Sequence, residues 1–237
     1  MRQTKGAIGN LLNRYKAVLK KCNLLNTFGS LAVASMLVMG GAGVAQADPQ
    51  IFKDNETITG TFENLTNEEK NYAPVVILEG VKGVTIESGT TFTGNTNSAA
   101  TFGGAIKALG QFFIQDNVKF SSNIAGSTAF GGGALYIRLG DQDSEHIADP
   151  INIGAVEFSN NKAESTAANG GLGGAIALEY GNVKITGATF DGNEANHGGA
   201  IANWYDASSH TINSEEYHSS LTSENTIYNQ NTASQNG

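Results

Sequence analysis

The chain has 237 residues and a formal net charge of −8, with 14 lysines and arginines against 22 aspartates and glutamates, and a single cysteine, Cys22. An acidic chain with no basic stripe interleaved with aromatics is excluded from nucleic-acid binding and is repelled by anionic lipid headgroups. One cysteine excludes an intrachain disulfide framework, so stability has to come from burial.

Residues 1–47 read as a signal peptide with an extended basic amino-terminal region. Arg2, Lys5, Arg14, Lys16, Lys20 and Lys21 precede an apolar run from Leu31 to Ala45, and Ala45-Gln46-Ala47 is a small-x-small cleavage site before Asp48. The apolar run is 15 residues long, short of the roughly 20 that a spanning helix needs. Cys22 precedes the run, so it is not the acylated cysteine of a lipoprotein. Cleavage after Ala47 leaves one cysteine-free domain whose 8 basic residues face 22 acidic ones, a net charge of −14.

Residues 48–83 read as an amino-terminal cap and first strands, with Val75-Val76-Ile77-Leu78 as the first buried strand. A solenoid needs such a cap to cover its first apolar face and open strand edges.

Residues 84–205 carry two alternating signatures. An aromatic-x-x-Asn turn occurs at Phe92–Asn95, Phe120–Asn123, Phe158–Asn161 and Phe190–Asn193, and a Gly-Gly-Ala-(Ile/Leu) strand start occurs at Gly103, Gly132, Gly173 and Gly198. The aromatics are 28, 38 and 32 residues apart, the footprint of one supersecondary unit stacked several times. Apolar alternation before each turn changes phase at a corner, as in Ile151, Ile153, then Val156, Phe158. It resumes after each Gly-Gly-Ala, as in Leu135, Ile137, Leu139. Period 2 with no sustained helical period predicts three short strands per turn of roughly 30 residues, an all-β, right-handed parallel β-helix of the pectin-lyase-like type. The phenylalanines should stack between coils. The motif asparagine should take the left-handed corner and bond to its neighbours, and the glycines should permit close approach of coils.

This alternation of Phe-x-x-Asn with Gly-Gly-Ala-(Ile/Leu) resembles the repeats of chlamydial polymorphic outer membrane proteins and of similar autotransporter passengers. The resemblance implies a surface-displayed β-helical passenger, often an adhesin, with a host or bacterial surface ligand, protein or glycan. It also implies a carboxy-terminal outer-membrane barrel in a full-length protein, which this stretch does not include.

Residues 206–237 read as a polar tail with a fifth unit, Tyr228-Asn229-Gln230-Asn231-Thr232-Ala233, that stops before its Gly-Gly-Ala. The expectation is a truncated repeat with an uncapped strand edge. A full-length protein would then lie in the outer membrane or at the cell surface, and this chain alone in the periplasm.

No residue is assigned as catalytic, cofactor-binding or metal-ligating, and no cofactor is expected. Arg138, Asp141, Asp143, Glu145, His146 and Asp149 form a charged cluster, but a calcium loop needs Gly and a bidentate Glu where His146 and Asn152 stand. Gly170-Gly171-Leu172-Gly173 fails as a calcium nonapeptide because Ala175 holds the position of its Asp. His197 near Asp191 and Glu194 reads as a polar turn. Trp204, Tyr205 and His210 offer a candidate glycan patch, against an inward Tyr205 with a partly covered Trp204. The rival to a non-enzymatic passenger is a β-helical polysaccharide lyase or hydrolase. Fold alone does not decide between the two; the lack of paired carboxylates and the single arginine after the leader, Arg138, speak against an enzyme.

Overall fold

The structure is a computed structural model that describes residues 45–46, 49–67, 73–97, 102–126, 131–139, 150–166, 170–204, 211–212, 215–216 and 219–236. Contacts divide the chain into Met1–Leu37 and Val38–Gly237, and every described residue belongs to the second unit. Cys22, residues 1–44 of the expected signal peptide, and Ala47 and Asp48 at its expected cleavage site therefore lie outside the described residues.

Each turn of the chain lays down four short strands, not three. The third coil runs through Ile106–Ala108, Phe112–Ile114, Lys119–Ser121 and Ile124–Ala125. In the second, third and fourth coils the fourth strand is only the two residues after the motif asparagine, too short to leave a period-2 signal. Equivalent strands of successive coils pair in parallel, as in Ile106 with Val75 on one side and Leu135 on the other, and the right-handed crossover is the one a right-twisted strand allows. Four parallel sheets result, named here first to fourth in the order the chain visits them. The first begins after Gly-Gly-Ala, the third holds the aromatic and the fourth follows the asparagine. Together they make a right-handed parallel β-helix, as the periodicity predicts.

The segment expected to be a cap is itself a coil. Gln50–Phe52, Thr57–Ile58, Thr61–Glu63 and Leu65–Asn67 each pair with the coil that follows, so Val75–Ile77 is the second strand of its sheet. The repeat is hidden there because Leu65 stands where later coils carry asparagine. Ala45–Gln46 pairs with Leu65–Thr66 in the fourth sheet. At the other end Ile201–Asn203, Ser220–Glu224, Ile227–Asn229 and Thr232–Asn236 complete a sixth coil. Tyr228 stands in register with Phe190, which is the fifth unit expected from the tail.

Two ladders run through the coils. Phe62, Phe92, Phe120, Phe158, Phe190 and Tyr228 stack face to face, with centroids 4.7, 4.7, 4.9, 4.7 and 5.1 Å apart. Their spacing is the inter-strand distance itself. Phe92, Phe120, Phe158 and Phe190 are fully buried, each worth about 1.5–3 kcal/mol of transfer free energy.

Beside them Asn95, Asn123, Asn161 and Asn193 are also fully buried. Each donates from Nδ2 to the Oδ1 of the next asparagine, at 2.9, 2.9, 2.9 and 2.8 Å, the last acceptor being Asn231. Each also donates to the carbonyl of the aromatic one coil back, such as Asn161 to Phe120 at 3.0 Å. Every Oδ1 further accepts a backbone N–H from the preceding coil, as Asn161 does from Asn123 at 3.1 Å. A buried amide is tolerable here because all its donors and acceptors are used.

The left-handed corner is not this asparagine but the residue before it: Asn64, Gly94, Ser122, Asn160, Gly192 and Gln230 all have φ between 51° and 64°. That reversal turns the motif asparagine inward.

The paired glycines have separate tasks. Gly132 takes φ 76° to turn into the first strand. Gly133 does not take that left-handed conformation, but a Cβ there would land on the Gly174 carbonyl oxygen of the next coil. Ala134, fully buried, then faces the core.

Candidate functional site

Most outward positions of the second and third sheets are polar: Thr85, Asn152 and Lys184, or Thr91, Lys119 and Glu157. The first sheet breaks that rule. Its outward residues include Val76, Tyr136 and Ala177, which are 1%, 1% and 3% exposed. Tyr136 and Ala177 belong to an apolar layer outside the helix, distinct from the main core, where with Leu172 they pack against Phe102, Leu109, Ala202 and Trp204.

Charged groups sit within this layer. The Tyr136 hydroxyl donates to the Glu179 carboxylate, and Arg138 Nε lies 3.7 Å from the same carboxylate. Lys107 Nζ lies 4.4 Å above the Phe102 ring, whose centroid is 4.5 Å from that of Tyr136. Burial pushes the Tyr136 phenol well above its ordinary value, aided by the Glu179 charge and hydrogen bond. Burial also lowers the Lys107 ammonium, helped by Arg138 and opposed by Glu179. With its hydroxyl committed and its ring covered, Tyr136 anchors the layer.

At the last coil the layer opens into a groove of about 240 Å³ lined by Leu172, His197, Gly198, Ala202, Asn203 and Trp204. Its walls are fixed by backbone. Leu172 bridges to His197, the Gly173 N–H donates to the His197 carbonyl at 2.9 Å, and the Trp204 N–H donates to the Leu178 carbonyl at 2.8 Å.

The residues singled out from the sequence separate accordingly. His197 ends the strand Glu194–His197, where a turn was expected, and it faces the groove. Asp191 accepts from Asn229 Nδ2 at 2.8 Å and Glu194 pairs with Lys162 at 3.2 Å, so neither builds a site with His197. Gly171 and Gly173 have φ of 71° and 62° and act in the coil turn. Trp204 is partly covered, as expected. Asp141, Asp143, Glu145, His146, Asp149, Tyr205 and His210 lie outside the described residues. Among the described residues, no three of His, Cys, Asp and Glu converge as for a metal ion.

The sequence reading missed Lys107, Phe102, Tyr136, Leu172 and Glu179. The usable signal was the apolar outward residue in Val75-Val76-Ile77, Leu135-Tyr136-Ile137 and Ile176-Ala177-Leu178, where a half-exposed strand should alternate.

Comparison with known proteins bears on the repeat. Over 174 residues the chain is 30% identical to a protein described as "Probable outer membrane protein PmpC", from Chlamydia muridarum. The chain is related to a polymorphic outer membrane protein. The match takes in 69% of this chain and 11% of that relative, so the chain spans about one ninth of the relative's length. The resemblance read from Phe-x-x-Asn and Gly-Gly-Ala thus holds at the level of aligned sequence. No family model and no solved structure matches the chain.

Proposed function

We propose that this chain is a β-helical passenger segment of an exported, autotransporter-like outer membrane protein, displayed at the cell surface and acting in adhesion or host interaction without catalysis. The observation that carries the reading is the pairing of an aromatic ladder through six coils and an asparagine ladder through the last five with similarity to an outer membrane protein. A scaffold of that kind holds outward side chains in fixed register, 4.7–5.1 Å apart along the stack, which suits a surface that meets large ligands. The acidic, cysteine-free segment after residue 47 supports an extracellular setting. The partner in this reading is a protein or glycan on another surface.

Protease accessibility tests the location. Antibodies raised against residues 48–237 should label intact cells of the organism that carries the gene, and external protease should remove the signal. Labelling only after permeabilisation would overturn surface display. Catalysis is tested separately by incubating the full chain with pectic and other acidic polysaccharides, with and without calcium. No new chain ends should appear, whereas turnover abolished by Arg138→Ala would establish the rival lyase reading.

A further inference from the structure

Trp204 is the single tryptophan of the chain, and the repeat has no need of it. Asn203 pairs with Leu178 in the first sheet, which places Trp204 level with Glu179, at a position where the other coils carry no large ring. Leu172 and His197 likewise occupy one position of the unit, the residue before Gly-Gly-Ala, and the fold makes no common demand there: Phe102 and Gly131 fill it in other coils. At Gly131 a Cβ would land on the Leu172 carbonyl, so the coil below holds the groove floor at fixed height. These side chains are free to vary in the repeat, yet they converge on one concavity.

We infer that the Trp204 groove is a binding subsite for one uncharged pyranose ring of a glycan. Its volume of about 240 Å³ is below the ≈ 300–1,000 Å³ typical of drug-sized ligands and matches a single sugar ring. The chemistry is amphipathic in the way a pyranose is. The indole and Ala202, over a floor of buried Leu172, offer apolar surface to the C–H face, and His197 and Asn203 bring an imidazole and an amide, the polar chemistry that pairs with hydroxyls.

Charge selects among sugars. Among the described residues, the six that line the groove include no Lys, Arg, Asp or Glu, so these side chains give a carboxylated or sulfated sugar no counter-ion, within a segment of net charge −14. An uncharged ring loses nothing by that lack. The groove is also preformed, because the backbone bonds at Gly173 and Trp204 hold both walls, so little ordering entropy is lost on binding. The inference deepens the adhesion reading by naming a ligand class, but groove occupancy does not depend on where the protein resides.

Because Trp204 is the chain's only indole, its fluorescence reports the groove directly. The full chain is titrated with glucose, galactose, mannose, N-acetylglucosamine and their short oligomers, and in parallel with glucuronate, sialyllactose and heparin oligosaccharides. The expected result is a saturable change in Trp204 emission with at least one uncharged saccharide and none with the charged series. His197→Ala and Asn203→Ala should each weaken that binding by about five- to tenfold, the loss of about one net hydrogen bond, with the thermal melting curve unchanged. No saturable response to any uncharged saccharide overturns the inference, as does a response to the charged series alone or one that both substitutions leave intact. Such a failure leaves the surface-labelling result untouched, and loss of surface labelling leaves the titration untouched, so the two readings fail separately.

Discussion

Replacing Asn161 by alanine should be among the most damaging single changes available outside the aromatic stack. Its side chain donates to Asn193 Oδ1 at 2.9 Å and to the Phe120 carbonyl at 3.0 Å, and accepts from Asn123 Nδ2 at 2.9 Å and the Asn123 backbone N–H at 3.1 Å. Truncation breaks all four bonds. The two Asn123 donors are then left inside a fully buried layer, at about 1–3 kcal/mol each. The two stranded acceptors keep Phe120 and Asn193 under-satisfied as well. A loss of about 3–6 kcal/mol follows, a large share of the 5–15 kcal/mol that holds a typical domain folded. Asn231 terminates the same ladder but is only part-buried, so water can replace it, and Asn231→Ala should cost about 1 kcal/mol. Urea denaturation of both variants, followed by far-ultraviolet circular dichroism and compared at equal m, measures the difference. Equal losses in the two variants, or a loss under 1 kcal/mol at Asn161, would refute the claim that the ladder is cooperative and buried.

Phe158→Ala removes a fully buried ring from the stack and should cost about 3–5 kcal/mol, whereas Tyr228→Ala, with Tyr228 49% exposed, should cost less than half as much in the same denaturation assay. Gly133→Ala should prevent soluble folding or lower the melting temperature more than any alanine in a surface loop, because its Cβ collides with a backbone carbonyl of the next coil that has no room to move; an unchanged melt would mean the coils are not in this contact. Tyr136 carries a pH signature. Its phenol is raised above the ordinary 10.0 by burial first and by Glu179 second, so its contribution is complete below about pH 10 and is lost as pH climbs toward the folded value, where the unfolded chain sheds the proton first. Urea midpoints should therefore fall more steeply above about pH 10 in the parent than in Tyr136→Phe, and parallel slopes would contradict that environment.

How far the sequence reads through to this structure depends on whether a residue repeats. The aromatic and Gly-Gly-Ala positions recur in four copies, and from them come the β-helix, the parallel pairing and the Phe stack. The first coil was obscured by one substitution, Leu65 on the asparagine rung, which is tolerated because at that end only its backbone N–H is asked to donate, to Asn95 Oδ1 at 3.1 Å. The corner was misassigned by one residue. Asn, Gly, Ser and Gln all take positive φ before the motif asparagine, and that variety hides a position fixed by backbone conformation alone. The fourth strand was missed for a different reason: Ile124–Ala125 and Lys162–Ala163 are two residues long, and alternation needs more than two positions to be seen.

The candidate site was less accessible for the opposite cause, since it is built from residues that do not repeat. Trp204 and His197 were noticed in the sequence for their chemistry, but Leu172, which lies against them, is 25 residues from His197 along the chain. Only the coil register brings it there. Lys107, Tyr136 and Glu179 likewise meet across three coils, in outward positions that a half-exposed strand would normally give to solvent.

The central claim is that successive coils lie in the register set by their aromatic-x-x-Asn units, and paired cysteines read that register directly. Thr93 and Ser121 are partners in adjacent coils, with side-chain oxygens 3.0 Å apart, while Ser159 lies one coil beyond Ser121. In a Cys22→Ser background, Thr93→Cys with Ser121→Cys should form a disulfide on mild oxidation, because parallel neighbours fall within the 4.4–6.8 Å Cα range of such bonds. Thr93→Cys with Ser159→Cys, two strand spacings apart at about 9.5 Å, should not. Cross-linking of the second pair in preference to the first would contradict the register, and with it the ladders and the groove built on them.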